Sequence, residues 1–319
     1  MPTEPVGPRA ALAVDVGGTK LAAGVVDETG RVWHSARVPT PPGGDGDTVW
    51  QALVGLIADV RGAASAAGAP EPAGIGVGCG GPMRWPAGAV SPLNIGGWRE
   101  FPLRDRLAGL ADGPVRVHND AIALAVAEHW RGAGVGHRDV LGMVVSTGVG
   151  GGLVLGDRVV DGTSGNAGHI GHVVVDPAGP QCACGGFGCL EAVAAGPRTV
   201  AWALANGWAA PVADGRSLVA AARAGHPVAV AALARAGTAV GVGIASATAL
   251  CDVAVVVVGG GLTGAGELLF GPLRQALARH ARLGFTRDVS VVPAALGADA
   301  GLVGAAALVL AGDRYWSAD

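Results

Sequence analysis

Three cysteines crowd into eight residues, Cys182-Ala-Cys184-Gly-Gly-Phe-Gly-Cys189, and His169 and His172 stand just upstream. Cys-x-Cys is too short for an easy disulfide, whereas three thiolates and one imidazole complete a tetrahedral zinc site. With all four positions filled by protein, such a zinc is structural, because no position remains for water. Buried, inert cysteines are the plain alternative. The spacing does not choose between His169 and His172.

A second group of residues could hold phosphate. In Asp15-Val16-Gly17-Gly18-Thr19-Lys20 an acid is followed by two glycines and a hydroxyl. Backbone N–H groups of such a turn can approach a phosphate while the acid faces a metal ion. An ordinary Gly-Gly hairpin reads the same way. The hexapeptide is neither a GxxxxGK[ST] loop nor a GxGxxG fingerprint, so it implies neither of those folds. Ser146-Thr147-Gly148-Val149-Gly150-Gly151-Gly152 repeats the design, and Gly259-Gly260-Gly261 is a third glycine cluster. Two hydroxyl-glycine turns plus a third cluster point to a nucleotide held between two related domains.

His118-Asn119-Asp120 reads as the end of a strand and the start of a helix. Asp120 could serve only as a helix N-cap. The functional reading is a general base beside an amide that positions a hydroxyl donor. Phosphoryl transfer from ATP to an alcohol needs such a carboxylate, to take the proton as the oxygen attacks.

These residues need elements to carry them. Apolar runs separated by Gly17-Gly18 and by the turn 27–30 predict strands over 12–15, 21–26 and 31–38. Residues 40–47 form a loop, and 48–67 have helical spacing, with Leu53, Leu56, Ile57 and Val60 on one face. Strands are expected over 75–77, 115–117 and 139–146, a helix over 121–131, and a glycine turn over 147–152 before a strand at 153–155. Helices dominate 197–250. The run 253–258 is β-branched, and 299–311 is a last apolar helix. Strands that begin in hairpins and then alternate with helices argue an α/β fold with two similar halves.

Composition narrows the function classes. The chain has 319 residues and is half apolar, which suits two α/β domains or one large one and excludes global disorder. A net charge of −3 offers no basic field for nucleic acid or an acidic membrane. The basic residues are almost all arginine; Lys20 stands alone as a lysine. The first ten residues lack the apolar stretch of a secretory signal. The runs 253–258 and 301–312 are read as the longest apolar stretches and fall short of the roughly 18–20 residues that span a bilayer. A soluble, cytoplasmic protein is the expectation, with neither nucleic acid nor membrane as partner.

Taken together, the motifs resemble those of the ROK family (repressor, open reading frame, kinase), within the hexokinase, Hsp70 and actin superfamily. The resemblance covers nearly the whole chain. DVGGTK at 15–20 is similar to the family's first phosphate motif and STGVGGG at 146–152 to its second. Asn119-Asp120 resembles its catalytic pair, and GNAGHIGH followed by CACGGFGCLE its signature. The resemblance implies two actin-like (ribonuclease H-like) α/β domains with a cleft between them. Their expected limits are 1–118, completed by the C-terminal helix 299–319, and 119–298, which carries the zinc motif. It assigns His172, Cys182, Cys184 and Cys189 to zinc. It places Asn119, Asp120, His172 and Glu191 around a sugar, with Asp120 as base, and Gly80, Gly81 and Asn94 in loops that line it.

Two departures from the family pattern stand out. His169 replaces the usual Glu that accepts from a ring hydroxyl, and an imidazole offers different donors and no charge. The loops Gly80-Gly81-Pro82 and Asn94-Ile95-Gly96-Gly97-Trp98 are variants of the family's sugar-side loops. The expected activity is an ATP-dependent hexose kinase acting on the 6-hydroxyl of glucose or a near relative. Asp15, Gly17, Gly18, Thr19, Lys20, Thr147, Gly148, Gly260 and Gly261 would hold ATP and Mg2+, beside a structural Zn2+. An amino sugar, N-acetylated sugar or cyclitol is the alternative substrate. A non-catalytic sugar-sensing protein is the alternative of a different class, and retention of Asp120 and both phosphate turns argues against it. The expected assembly is a homodimer or homotetramer.

Overall fold

The computed structural model describes residues 8–43 and 45–318. Most of the N-terminal stretch read as lacking a signal, residues 1–7, lies outside the described residues, as does Gly44 of the expected loop.

The chain runs β1 (Ala10–Val16), β2 (Lys20–Asp27), β3 (Val32–Pro39), α1 (Gly46–Ala66) and β4 (Pro72–Cys79). Then come β5 (Met83–Arg84), β6 (Ala89–Val90), β7 (Phe101–Pro102), α2 (Leu103–Ala108), β8 (Val115–Asn119) and α3 (Asp120–Arg131). They are followed by β9 (Val140–Val145), β10 (Val149–Leu155), β11 (Arg158–Val159), α4 (Leu190–Ala194), α5 (Gly196–Ala205), α6 (Gly215–Arg223) and α7 (Pro227–Cys251). The order closes with β12 (Val255–Gly259), α8 (Glu267–His280), β13 (Ser290–Pro293), α9 (Ala300–Leu310) and α10 (Gly312–Tyr315). The chain divides into two compact units. One comprises Met1–Gly136, Gly156–Ala167 and Ala298–Asp319, the other His137–Leu155 and Gly168–Gly297.

The first unit is built on a sheet of order β3-β2-β1-β4-β8. β1 pairs antiparallel with β2 and parallel with β4, so it is central and buried on both faces. That position explains the apolar run Ala10–Val14, whereas the edge strand β3 is only half-buried or exposed along its length. α1 lies on β2 and β3, and α9 on β1 and β4. α1 starts two residues before the expected Thr48, because Asp45 caps it by accepting from the Thr48 N–H at 2.8 Å. Glycines let α9 come in close. A Cβ on Gly76 would stand 1.8 Å from the Ala305 carbonyl oxygen, and one on Gly304 1.8 Å from that of Ala123. The unit continues past the expected limit of 118, because α3 packs on α9 and β4 and stays with the sheet it follows.

In the second unit β10, β9, β12 and β13 lie side by side in that order. Here the expected turn 147–152 is corrected. Only Ser146-Thr147-Gly148 turns the chain, and β10 already begins at Val149. Gly151 therefore serves packing within a strand: a Cβ there would lie 2.8 Å from the Gly142 carbonyl oxygen and 2.9 Å from Ile170 Cγ2. A second correction concerns the longest apolar stretch. α7 spans 25 residues and is long and apolar enough to cross a bilayer by length and composition, yet 61% of its most apolar window is buried inside the protein. It packs against α8, α4, α5 and α6, and its small residues make that possible. A Cβ on Gly237 or Gly241 would stand 2.3 Å from a carbonyl oxygen of α8.

Candidate active site

The parallel strands β1, β4 and β8 end level with one another. Val16 pairs with Cys79, and Cys79 with Asn119. Ligands of open α/β sheets gather beyond the carboxyl ends of such strands. The residues that follow are Gly17-Gly18-Thr19 after β1, Gly80-Gly81 after β4 and Asp120 after β8, so segments more than a hundred positions apart emerge side by side.

The first glycine turn is closed by the Gly17 N–H donating to the Lys20 carbonyl at 3.0 Å. Thr40 Oγ1 donates to the Gly17 carbonyl at 2.7 Å, and Gly18, Thr19 and Lys20 remain exposed. Gly18 abuts the loop that carries Asn94: a Cβ there would lie 2.2 Å from Asn94 Cβ. That loop is anchored by Trp98, which is fully buried, stacks on Phe101 at 4.2 Å and donates from Nε1 to the Gly46 carbonyl at 2.9 Å. The Leu93 N–H reaches the Gly81 carbonyl at 3.3 Å, tying the two expected sugar-side loops together.

Asn119, not Asp120, caps α3. Its Oδ1 accepts from the Ala121 N–H at 3.0 Å, and Asp120 Oδ1 lies 2.8 Å from the same nitrogen. The N-cap position thus belongs to Asn119, and the two side chains share the Ala121 N–H. Asn119 Nδ2 stays outside the cap and lies 3.5 Å from where a Gly81 Cβ would be. Asp120 is exposed, and its Oδ2 lies 3.9 Å from the corresponding point on Gly80.

Asp15 holds its proton up to about pH 6, well above the ordinary carboxylate range. Burial is the main cause and the charge of Asp120 the second, while Lys20 and Arg37 oppose them. Asp15 Oδ2 also lies 2.9 Å from where a Cβ on Gly301 would stand, in the first turn of α9, whose positive end favours an anion. Sequence reasoning missed Arg37 and Gly301. β3 gives no motif that sets Arg37 apart, and only the pairing of Ala22 with Arg37 carries it beside β1 and β2.

In the second unit β9 and β12 likewise end together, Gly259 pairing with Val144. The turn Ser146-Thr147-Gly148 is closed by the Ser146 N–H donating to the Gly148 carbonyl at 2.9 Å. Gly260, at φ 99°, passes so near that a Cβ would stand 2.4 Å from the Val145 carbonyl oxygen. Gly261 follows, 3.7 Å from Ser146 Oγ by the same measure. The second and third glycine clusters therefore lie side by side. Glu191 joins them: its Oε2 accepts from the Val149 N–H at 3.0 Å.

Among the described residues, His172, Cys182, Cys184 and Cys189 set four ligand atoms within 4.8 Å of one another. Cys184 and Cys189 Sγ are 3.7 Å apart, and Cys182 Sγ lies 3.8 Å from His172 Nδ1. A tetrahedral zinc about 2.3 Å from each sulfur sets the sulfurs about 3.8 Å apart, so the donors fit the ion in kind and spacing. The knuckle is shaped by backbone bonds. Cys182 N–H donates to the Gly186 carbonyl at 2.8 Å, and Gly188, at φ 69°, leaves no room for a Cβ beside the Asp176 carbonyl. Geometry also chooses between the histidines. His172 joins the cysteines, and the His169 ring lies parallel to that of His172 with centroids 6.3 Å apart.

Residues 11–311 match the ROK family. The glucokinase of Streptomyces coelicolor is 36% identical over 314 residues, covering 93% of this chain and 96% of that protein. The N-acetylmannosamine kinase of Citrobacter koseri is 38% identical over 305 residues, covering 95% and 99%. Among solved structures, a ROK family glucokinase from Streptomyces griseus in complex with glucose and AMPPNP superposes with a TM-score of 0.81 at 36% identity, covering 94% of this chain and 98% of that one. The fold is the two-domain, actin-like α/β fold of these kinases. With the family match running almost end to end, the chain belongs to the ROK family.

Proposed function

We propose that this chain is an ATP-dependent hexose kinase that phosphorylates the 6-hydroxyl of glucose or a close relative. The observation that carries the reading is Asp120, exposed at the end of β8 with Oδ2 beside Gly80, while its Oδ1 shares the Ala121 N–H with the N-cap residue Asn119. The likeness to glucokinases at 36% identity supports the substrate class.

Asp120 accepts the proton of the 6-hydroxyl as that oxygen bonds to the γ-phosphorus and the bond to the ADP oxygen breaks. Asn119 Nδ2 donates to the sugar, and Gly80, Gly81 and Asn94 shape its place. His169, His172 and Glu191 serve the ring hydroxyls. Exposed Gly18, Thr19 and Lys20, with Gly17, bind phosphate, as do Thr147, Gly148, Gly260 and Gly261. Asp15 would hold Mg2+, which when bound neutralises phosphate charge. Its raised pKa fits a carboxyl that gains from a cation. His172, Cys182, Cys184 and Cys189 would hold a structural zinc, which when bound fixes the His172 imidazole and leaves Nε2 toward the sugar. Homodimeric or homotetrameric assembly and a cytoplasmic setting complete the reading.

The test is Asp120→Asn, which keeps shape and removes the proton acceptor. Glucose should still bind, by calorimetry, while kcat with ATP·Mg2+ falls about 10²-fold or more. A variant turning over near the wild-type rate would remove Asp120 from the reaction. A second reading, phosphorylation of an N-acetylated sugar, is favoured by the equally similar Citrobacter koseri kinase. A panel of sugars compared by kcat/KM separates the two.

A further inference from the structure

His118 precedes the pair on which the proposed reaction turns and is wholly buried. The Asn119 N–H donates to its Nδ1 at 2.8 Å. A ring nitrogen that accepts carries no proton, so the hydrogen of the neutral imidazole sits on Nε2. Nε2 lies 2.8 Å from Asp161 Oδ1, and Asp161 is itself only 7% exposed. The other oxygen of Asp161 accepts from Ser317 Oγ at 2.5 Å. The rings of Trp85 and Trp316 flank the imidazole, with centroids 6.1 and 6.4 Å away. Three separate stretches of the first unit thus converge on the backbone amide of one residue: the end of β8, the segment Gly156–Ala167 and the C-terminal tail.

A buried carboxylate beside an imidazole is a poor device for stability alone, since an apolar set of equal volume commonly does as well or better. What this pair supplies is direction. Hydrogen bonding to a carboxylate fixes which nitrogen of a histidine bears the proton and raises the basicity of the other. That other nitrogen is the acceptor for Asn119. Asn119 Oδ1 is committed to the Ala121 N–H, so the Asn119 backbone is held from both sides, and Asp120 is the next residue.

We propose that Asp161 and His118 are positioning residues for the phosphoryl transfer. Asp161 sets the His118 tautomer, and His118 Nδ1 fixes the backbone from which the Asn119 amide and the Asp120 carboxylate project. Neither touches substrate. The proposal rests on the reading of Asp120 as the base.

Asp161→Leu leaves His118 Nε2 without its acceptor and frees the ring to take the other tautomer. With folding verified by circular dichroism, kcat for glucose should fall about tenfold or more and glucose KM should rise, because small misplacements of reacting groups carry such losses. KM for ATP should stay within about twofold of wild type, since the phosphate turns are untouched. Asp161→Asn keeps the Oδ1 acceptor and should recover most of the loss. Ser317→Ala removes only the tail's bond and should stay near wild type. An Asp161→Leu enzyme with wild-type kcat and glucose KM would overturn the proposal. So would a Ser317→Ala enzyme as impaired as Asp161→Leu, which would reduce the pair to a tether for the tail. Should Asp161→Leu fail to fold, the imidazole 15N NMR spectrum of the wild-type protein still decides. A protonated Nε2 with a bare Nδ1 on His118 is expected, and the reverse tautomer would sink the idea. A wild-type chain that phosphorylates no sugar, yet shows this tautomer, would refute the kinase reading and leave the dyad's geometry standing.

Discussion

On the proposed reading, His169 bears most directly on which sugar is taken. It is half-buried at the start of the 3-10 turn Ile170–His172, outside the metal ligand set and one helical step from His172. A neutral imidazole has one donor and one acceptor, where the family carboxylate only accepts. A polar group left without its partner costs about 1–3 kcal/mol, enough to shift preference between sugars about tenfold. His169→Glu should therefore raise kcat/KM for glucose relative to the best other sugar in a panel. An unchanged ratio would make His169 a mere wall residue. Asp15 gives a second residue-scale test. Its pKa is about 6 in the folded chain against an ordinary 3.8, so the folded state binds its proton more tightly than the unfolded state. The stability this lends is fully present below about pH 4 and is lost as pH rises through 6. Asp15→Asn should thus stabilise the ligand-free protein at pH 8 by up to about 3 kcal/mol, with the gain vanishing near pH 4. Thermal unfolding across that range measures it. Equal effects at both pH values would show that the carboxyl is not held neutral by its surroundings.

At the scale of elements, the glycines divide into two kinds that composition alone does not separate. Gly18 makes a turn at a strand end, Gly151, Gly237 and Gly304 admit a neighbouring backbone, and Gly260 does both. Both kinds read alike in sequence, which is why the sequence alone extends the second turn four residues past Gly148. The stretch 168–191 has only short elements: a 3-10 turn, two isolated bridges and α4. Such a segment has little core of its own, Cys182 and Cys189 clustering with Ala192 just beyond it. A metal would supply the missing cross-link. Metal analysis should find about one zinc per chain, and Cys184→Ser should lose it and weaken glucose binding through His172. A zinc-free protein with unaltered glucose affinity would refute the role. α7 makes a related point: its apolar length resembles a membrane span, and only its burial against four other helices identifies it as a core helix.

For the whole molecule, a ligand that binds only the folded chain stabilises it by mass action. Glucose at one hundred times its Kd should add about 2.7 kcal/mol and raise Tm by several degrees in scanning fluorimetry. A larger rise with N-acetylmannosamine would transfer the substrate assignment to that sugar. No shift with any hexose would count against sugar binding altogether. Much of this molecule was determined by the sequence itself. Local chemistry announced a group able to hold a metal, because three thiols and an imidazole within 18 residues have few other uses, and local periodicity announced β1, β2, α1 and the glycine turns. Tertiary structure decided the rest. It selected His172 over His169, because both have suitable spacing and only the folded knuckle brings one of them to the thiols. It gave the N-cap position to Asn119 and made Asp120 the first residue of α3, where it keeps Oδ2 beside Gly80 while Oδ1 shares the Ala121 N–H. It joined His118 to Asp161 across 43 positions and to the tail beyond, since long-range pairing of buried polar groups leaves no periodic trace in a chain.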